Sequence, residues 1–98
     1  MPWADYLVSA ASYGSDRRIT EAVRHVDGED GIGGGERVDR MTISSEIRRG
    51  KRYCTIYAGN GTWRLGLPIR SFSIGGDPYV RIDGNKVAMD NLGDIPEA

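Results

Sequence analysis

A single cysteine, Cys54, and a single histidine, His25, are all that 98 residues hold of the two commonest metal-binding and nucleophile-activating side chains. One cysteine excludes an internal disulfide and any cysteine-cluster zinc site. One imidazole leaves little material for a triad, which needs a base held against a nucleophile. On a strand beside an acidic loop, His25 reads as an exposed histidine, and Cys54 reads as a small core hydrophobe. No apolar run approaches the roughly 20 residues that cross a bilayer. The opening MPWADYLVSAASYG has no basic segment before its apolar stretch, so neither a membrane span nor a secretory leader is expected and the expected setting is cytoplasmic. The length supports one domain, residues 1–98, with one core.

Charge is nearly balanced overall, at −1, but unevenly laid out. Residues 36–70 carry eight cations against three acids, and the segments on either side are each acidic by three. Arginine supplies eleven of the thirteen cations, and its planar fork suits carboxylate and phosphate contacts. A GC-rich genome would explain the Arg-to-Lys ratio but not the clustering. The near-neutral total argues against general duplex DNA binding, which favours strongly basic domains. It leaves a small anion, a short oligonucleotide or an acidic protein surface as partners.

Periodicity assigns most of the chain to strands. Residues 4–13 alternate, and so do residues 19–26 after the GSDRR turn. Residues 27–36, with five glycines and four acids among DGEDGIGGGE, are expected to form a mobile loop, since they can bury little. Asp39 is a good N-cap for a helix near residues 40–49, with Ile43 and Ile47 on one face and Gly50 available to close it. The cations at 48, 49, 51 and 52 fit the helix C-terminus as a solvated face or serve as a binding surface. RYCTIYA, a GNG turn and TWRLG read as a hairpin, with Trp63 across from the Tyr57 end of its partner. IRSFSI and PYVRI flank a GGD turn, and KVAMD is a last short strand. The expected fold is α+β, mostly β: a bent antiparallel sheet or small open barrel of about seven strands with one helix.

Ala4-Asp5-Tyr6-Leu7-Val8-Ser9-Ala10, Gly50 with Thr55-Ile56-Tyr57, Trp63 with Gly66, Tyr79-Val80-Arg81, and Asp90-Asn91-Leu92 with Ile95-Pro96 together resemble a small bacterial and phage domain family of unknown function. Its pattern opens with A-D-Y-[LI]-[IV]-S-A and closes with D-N-L-x-x-[LI]-P. The chain departs from it where Ser12 precedes Tyr13, at a place where relatives often carry Arg. The resemblance implies that DNLGDIP is folded against the body and implies no activity. A phage protein of this kind could act by sequestering a host nucleotide signal.

The sequence supplies binding better than catalysis. Arg52, Tyr57, Trp63, Arg64 and Arg81 are the expected ligand-binding residues, an aromatic shelf edged by guanidinium groups for a nucleotide-like anion. The alternative is that Tyr53, Tyr57 and Trp63 form the hydrophobic face under the helix. Asp90 and Asn91 are expected in a latch or a supporting layer, with Arg81 as the partner of Asp90. No cofactor or metal is expected. A second reading is an interaction module or homo-oligomer working through exposed strand edges. A third, a metal-dependent hydrolase, would need Asp83, Asp90 and Asp94 to converge.

Overall fold

The computed structural model describes residues 3–59, 61–84 and 87–98. Its strands are β1 (Tyr6–Tyr13), β2 (Ile19–Gly28), β3 (Gly31–Ile32), β4 (Glu36–Val38), β5 (Tyr53–Ala58), β6 (Trp63–Pro68), β7 (Arg70–Ile74) and β8 (Asp77–Arg81), with helix α1 (Arg40–Arg48) between β4 and β5. Among the described residues the fold is mostly β with one short helix, and no closed barrel forms.

Six strands make one sheet in the order β3-β2-β1-β5-β6, with β4 also pairing β2, and β7 with β8 make a second small sheet. Every named strand pair is antiparallel except β1 with β5, where Tyr6, Leu7 and Val8 lie beside Tyr53, Cys54 and Thr55. A parallel neighbour requires a crossover connection, and α1 is part of that connection. The sheet is therefore mixed: largely antiparallel, as expected, with one parallel pair. KVAMD also departs from expectation: Lys86 lies outside the described residues, and Val87–Met89 form no strand.

Helix α1 begins and ends where its capping residues place it. The Asp39 carboxylate accepts the Thr42 N–H at 2.7 Å, and Gly50 takes a left-handed φ of 95° just past the end. Ile43 is fully buried, joining Val8, Ala11, Ile19, Ala22, Tyr53, Ile69, Val80 and Leu92 in the main core. On the other side of the sheet Ala4, Leu7, Cys54 and Ile56 form a smaller cluster against which Trp63 and Ile32 pack. The Ser44 and Ser71 hydroxyls, 2.7 Å apart, tie the helix to β7.

Parts of the stretch 27–36 pair with β2. Asp27 and Gly28 pair with Ile32 and Gly31, and Glu36 pairs with Arg24 as β4 returns along β2. Backbone pairing requires no apolar side chain, so glycine content alone does not identify such a segment. His25 is likewise buried, at 7% exposure, and not the exposed strand histidine expected. The segment at Gly33–Gly35 passes directly over its ring.

The closing DNLGDIP lies against the body. Leu92 is fully buried and Ile95 packs on the main core. Asn91 bridges to Arg81 in parallel fashion, and the Pro96 carbonyl accepts the Ala11 N–H at 3.0 Å.

The hydroxyl and the backbone N–H of Thr42 both hold the Asp39 carboxyl below its ordinary pKa. A depressed pKa contributes stability above the unfolded value that is lost as pH falls through the folded one. Asp39→Ala should cost about 1 kcal/mol at neutral pH. In urea unfolding, the gap between variant and parent should close as pH falls below the ordinary carboxyl range.

Candidate anion-binding site

The hairpin register divides the expected shelf between two faces. Trp63 pairs with Ala58, while Tyr57 pairs with Arg64. Cross-strand partners share a face and neighbours alternate, so Trp63 lies with Ile56 and Tyr57 lies opposite it. Trp63 packs on the smaller cluster and its ring centroid is 5.4 Å from that of His25. Arg52 is exposed beyond the far end of β5 and donates its backbone N–H to Asp5 at 2.7 Å. It borders a separate shallow cavity of about 370 Å³ with Tyr6, Asp27 and Lys51. Tyr53 is buried, its hydroxyl bound to Glu46 and Arg24, and burial followed by the Glu46 bond pushes its pKa up. The aromatic and cationic residues of β5 and β6 thus serve several places.

Arg81 and the closing segment do come together. A cavity of about 260 Å³ is lined by Tyr13, Arg17, Arg81, Met89, Asp90, Asn91 and Gly93. Behind its lining the Asp90 side chain is fully buried, with no exposed surface. One oxygen accepts the Ile19 N–H and the Arg40 Nε–H, each at 2.8 Å. The other accepts the Val80 N–H at 2.9 Å. The ionic partner of Asp90 is therefore Arg40 and not Arg81. Arg81 Nε and Nη2 instead meet the two oxygens of Asp83, at 2.7 and 2.9 Å. This follows from geometry, since Asp83 is two residues beyond Arg81 at a strand end. Arg81 also donates through Nη1 to the Met89 carbonyl at 2.9 Å, which fixes the cavity rim.

Tyr13 closes one wall. Its hydroxyl oxygen accepts the Leu92 N–H at 2.8 Å, and burial pushes its pKa up, so the phenol stays protonated with a hydrogen to give. Arg17 sits in the β1–β2 turn with a φ of 63°, the one non-glycine in that region among the described residues. Its backbone carbonyl accepts the Asp90 N–H at 3.0 Å, which holds the strained turn against the closing segment. Asn91 accepts the Gly93 N–H at 2.9 Å in the local turn its side chain favours.

Asp83 and Asp90 are each bound to an arginine and Asp94 is exposed, so the three carboxylates do not converge. Among the described residues no group of three His, Cys, Asp or Glu side chains could hold a metal ion. Tyr13 and Arg17 escaped the sequence reading because nothing in it linked the β1–β2 turn to a segment more than seventy positions later. No family model matches the chain, and no curated protein or solved structure matches it either.

Asp90→Ala would leave two buried N–H groups and the Arg40 guanidinium without their acceptor. It should cost about 3–5 kcal/mol in urea unfolding, the range for removing one member of a buried pair. A loss below about 1 kcal/mol would show that other contacts hold the closing segment.

Proposed function

We propose that the protein binds a small phosphate-bearing, nucleotide-like anion in the cavity beneath its closing segment. The observation that carries this reading is the Arg17 guanidinium, which forms no ion pair among the described residues, on a strained turn beside the protonated Tyr13 hydroxyl and the rim arginine Arg81. Arg18, Arg24, Arg37, Arg40 and Arg81 all meet carboxylates. Arg81 has two further N–H donors beyond those its partners take, and a guanidinium fork with a phenol suits a phosphoryl group. The cavity lies just below the roughly 300–1,000 Å³ of drug-sized sites, so it suits a phosphate with part of a sugar. A base would then extend past Met89, which is 38% exposed. Tyr57, Trp63, Arg64 and Arg52 stand outside this cavity. If the chain is a phage protein, binding of this kind would sequester a host nucleotide signal.

A second reading has one observation of its own. Strand β6 ends the large sheet and exposes Leu65 and Leu67, 47% and 51% accessible. Such an edge can pair with a second copy or capture a partner strand.

Thermal-shift measurements with inorganic phosphate, mononucleotides, cyclic nucleotides and short oligonucleotides separate the two. A ligand at a hundred times its Kd adds about 2.7 kcal/mol, a shift on the order of ten degrees for a domain this size. Arg17→Ala and Tyr13→Phe should each weaken binding about tenfold or more. If no anion raises the melting temperature, or if Arg17→Ala binds like the parent, the cavity reading is wrong. Self-association in light scattering, lost in Leu65→Lys, would then support the strand edge.

A further inference from the structure

The sheet face away from α1 carries a pairing of side chains that the anion site does not use. Strand β1 pairs Val8 with Arg24 and Ala10 with Val23, so Ser9 is an extra residue with no partner across the ladder. A bulge of this kind re-aims a side chain. Here Ser9 Oγ lies 2.8 Å from His25 Nε2. The other ring nitrogen, Nδ1, lies 2.9 Å from the Gly33 carbonyl oxygen. A carbonyl can only accept, so Nδ1 carries the hydrogen. The neutral ring then presents a bare Nε2, and the Ser9 hydroxyl donates to it.

The surroundings confine the ring. A Cβ on Gly35 would stand 2.5 Å from Val23 Cγ1 and 3.2 Å from His25 Cε1, so only glycine lets the backbone lie this close over the ring. On another side the Trp63 ring sits at 5.4 Å, tilted 56°. His25 is buried, while Ser9 keeps part of its surface in solvent. A hydroxyl bound to a base that a third group orients is the arrangement of an activated nucleophile.

We propose that Ser9 and His25 form a nucleophile–base pair that reacts with small activated aryl esters, with Trp63 as an apolar wall for the aryl group. As Ser9 Oγ bonds to the acyl carbon, its proton passes to His25 Nε2. The ester C–O bond breaks, the phenolate leaves, and the imidazolium returns the proton to it or to water. Water, deprotonated by His25, then hydrolyses the acyl-serine to the free acid and restores the hydroxyl. The pair lies on the opposite sheet face from the anion cavity, and its failure or success leaves that reading untouched.

The test is incubation of the full chain with p-nitrophenyl acetate, followed by absorbance and peptide mass mapping. The expected result is a burst of one equivalent of p-nitrophenolate with one acetyl group on Ser9 in acid-quenched samples, followed by slower release as the acyl-serine hydrolyses. His25→Gln should slow acetylation of Ser9 on the order of a hundredfold, the range of general-base assistance. Ser9→Ala should abolish the acetyl group in that peptide. Unfolding the parent in urea should remove the rate advantage, a control that holds even if His25→Gln folds poorly. Absence of acetyl-Ser9 in the folded parent, or an equal rate in urea, overturns the proposal.

Discussion

The Asp90 carboxylate is the contact on which the remaining architecture depends. Its two oxygens receive the start of β2, Val80 near the end of β8 and the first residue of α1, so one charged group joins three elements to the closing segment. Burying a carboxylate is costly unless it is paired and its lone pairs are filled. Here Arg40 supplies the countercharge, and two backbone N–H groups supply directed donors. Directionality matters as much as energy, because those donors fix where the closing segment crosses β8. Once Asp90 is placed, Asn91 continues the edge of β8 and Leu92 drops into the core. The cavity is the space left between that crossing and the β1–β2 turn.

A second constraint is the division of the arginines. Arg24 bonds Glu36 at 2.9 Å, meets Glu46 and the Tyr53 hydroxyl, and lies 4.3 Å from the centre of the Tyr6 ring, so it acts as a structural post. Arg40 and Arg18 both approach the Tyr79 ring, at 5.2 and 5.4 Å. These guanidinium groups are held by carboxylates and aromatic faces together, which suits a planar ion that is weakly hydrated. Arg48, Arg49, Lys51 and Arg52 remain exposed at the end of the helix. Within the basic block of residues 36–70, Arg37 and Arg40 meet carboxylates while Arg48, Arg49, Lys51 and Arg52 form a solvated run, so its summed charge does not describe one surface.

The two sides of the sheet also carry different chemistry for a local reason. The bulge at Ser9 shifts the alternation of β1, so Val8 and Ala11 both reach the main core while Leu7 joins the smaller cluster. On the helix side apolar residues surround the Arg40–Asp90 ion pair and the Ser44–Ser71 hydroxyl pair. On the far side the neutral Ser9–His25–Gly33 chain is closed over by a glycine segment. One extra residue in a strand is enough to produce this asymmetry.

The sequence by itself determined the elements whose signals are local. Asp39 and Gly50 bracket the helix, Gly75–Gly76 with Asp77 turn β7 into β8, and the β-branched and aromatic residues of 53–57 make a strand, because caps, turns and alternation act within a few residues. Tertiary structure alone decided what depends on register and on distant partners. It set β1 parallel to β5, put Trp63 opposite Ala58 and away from Tyr57, and gave Asp90 to Arg40 while Arg81 took Asp83. It also brought Tyr13 and Arg17 to the closing segment and His25 beneath Gly33–Gly35. A one-residue slip moves a side chain to the opposite face, and an ion pairs with whichever countercharge the fold brings within reach; neither outcome is written in the spacing of one strand.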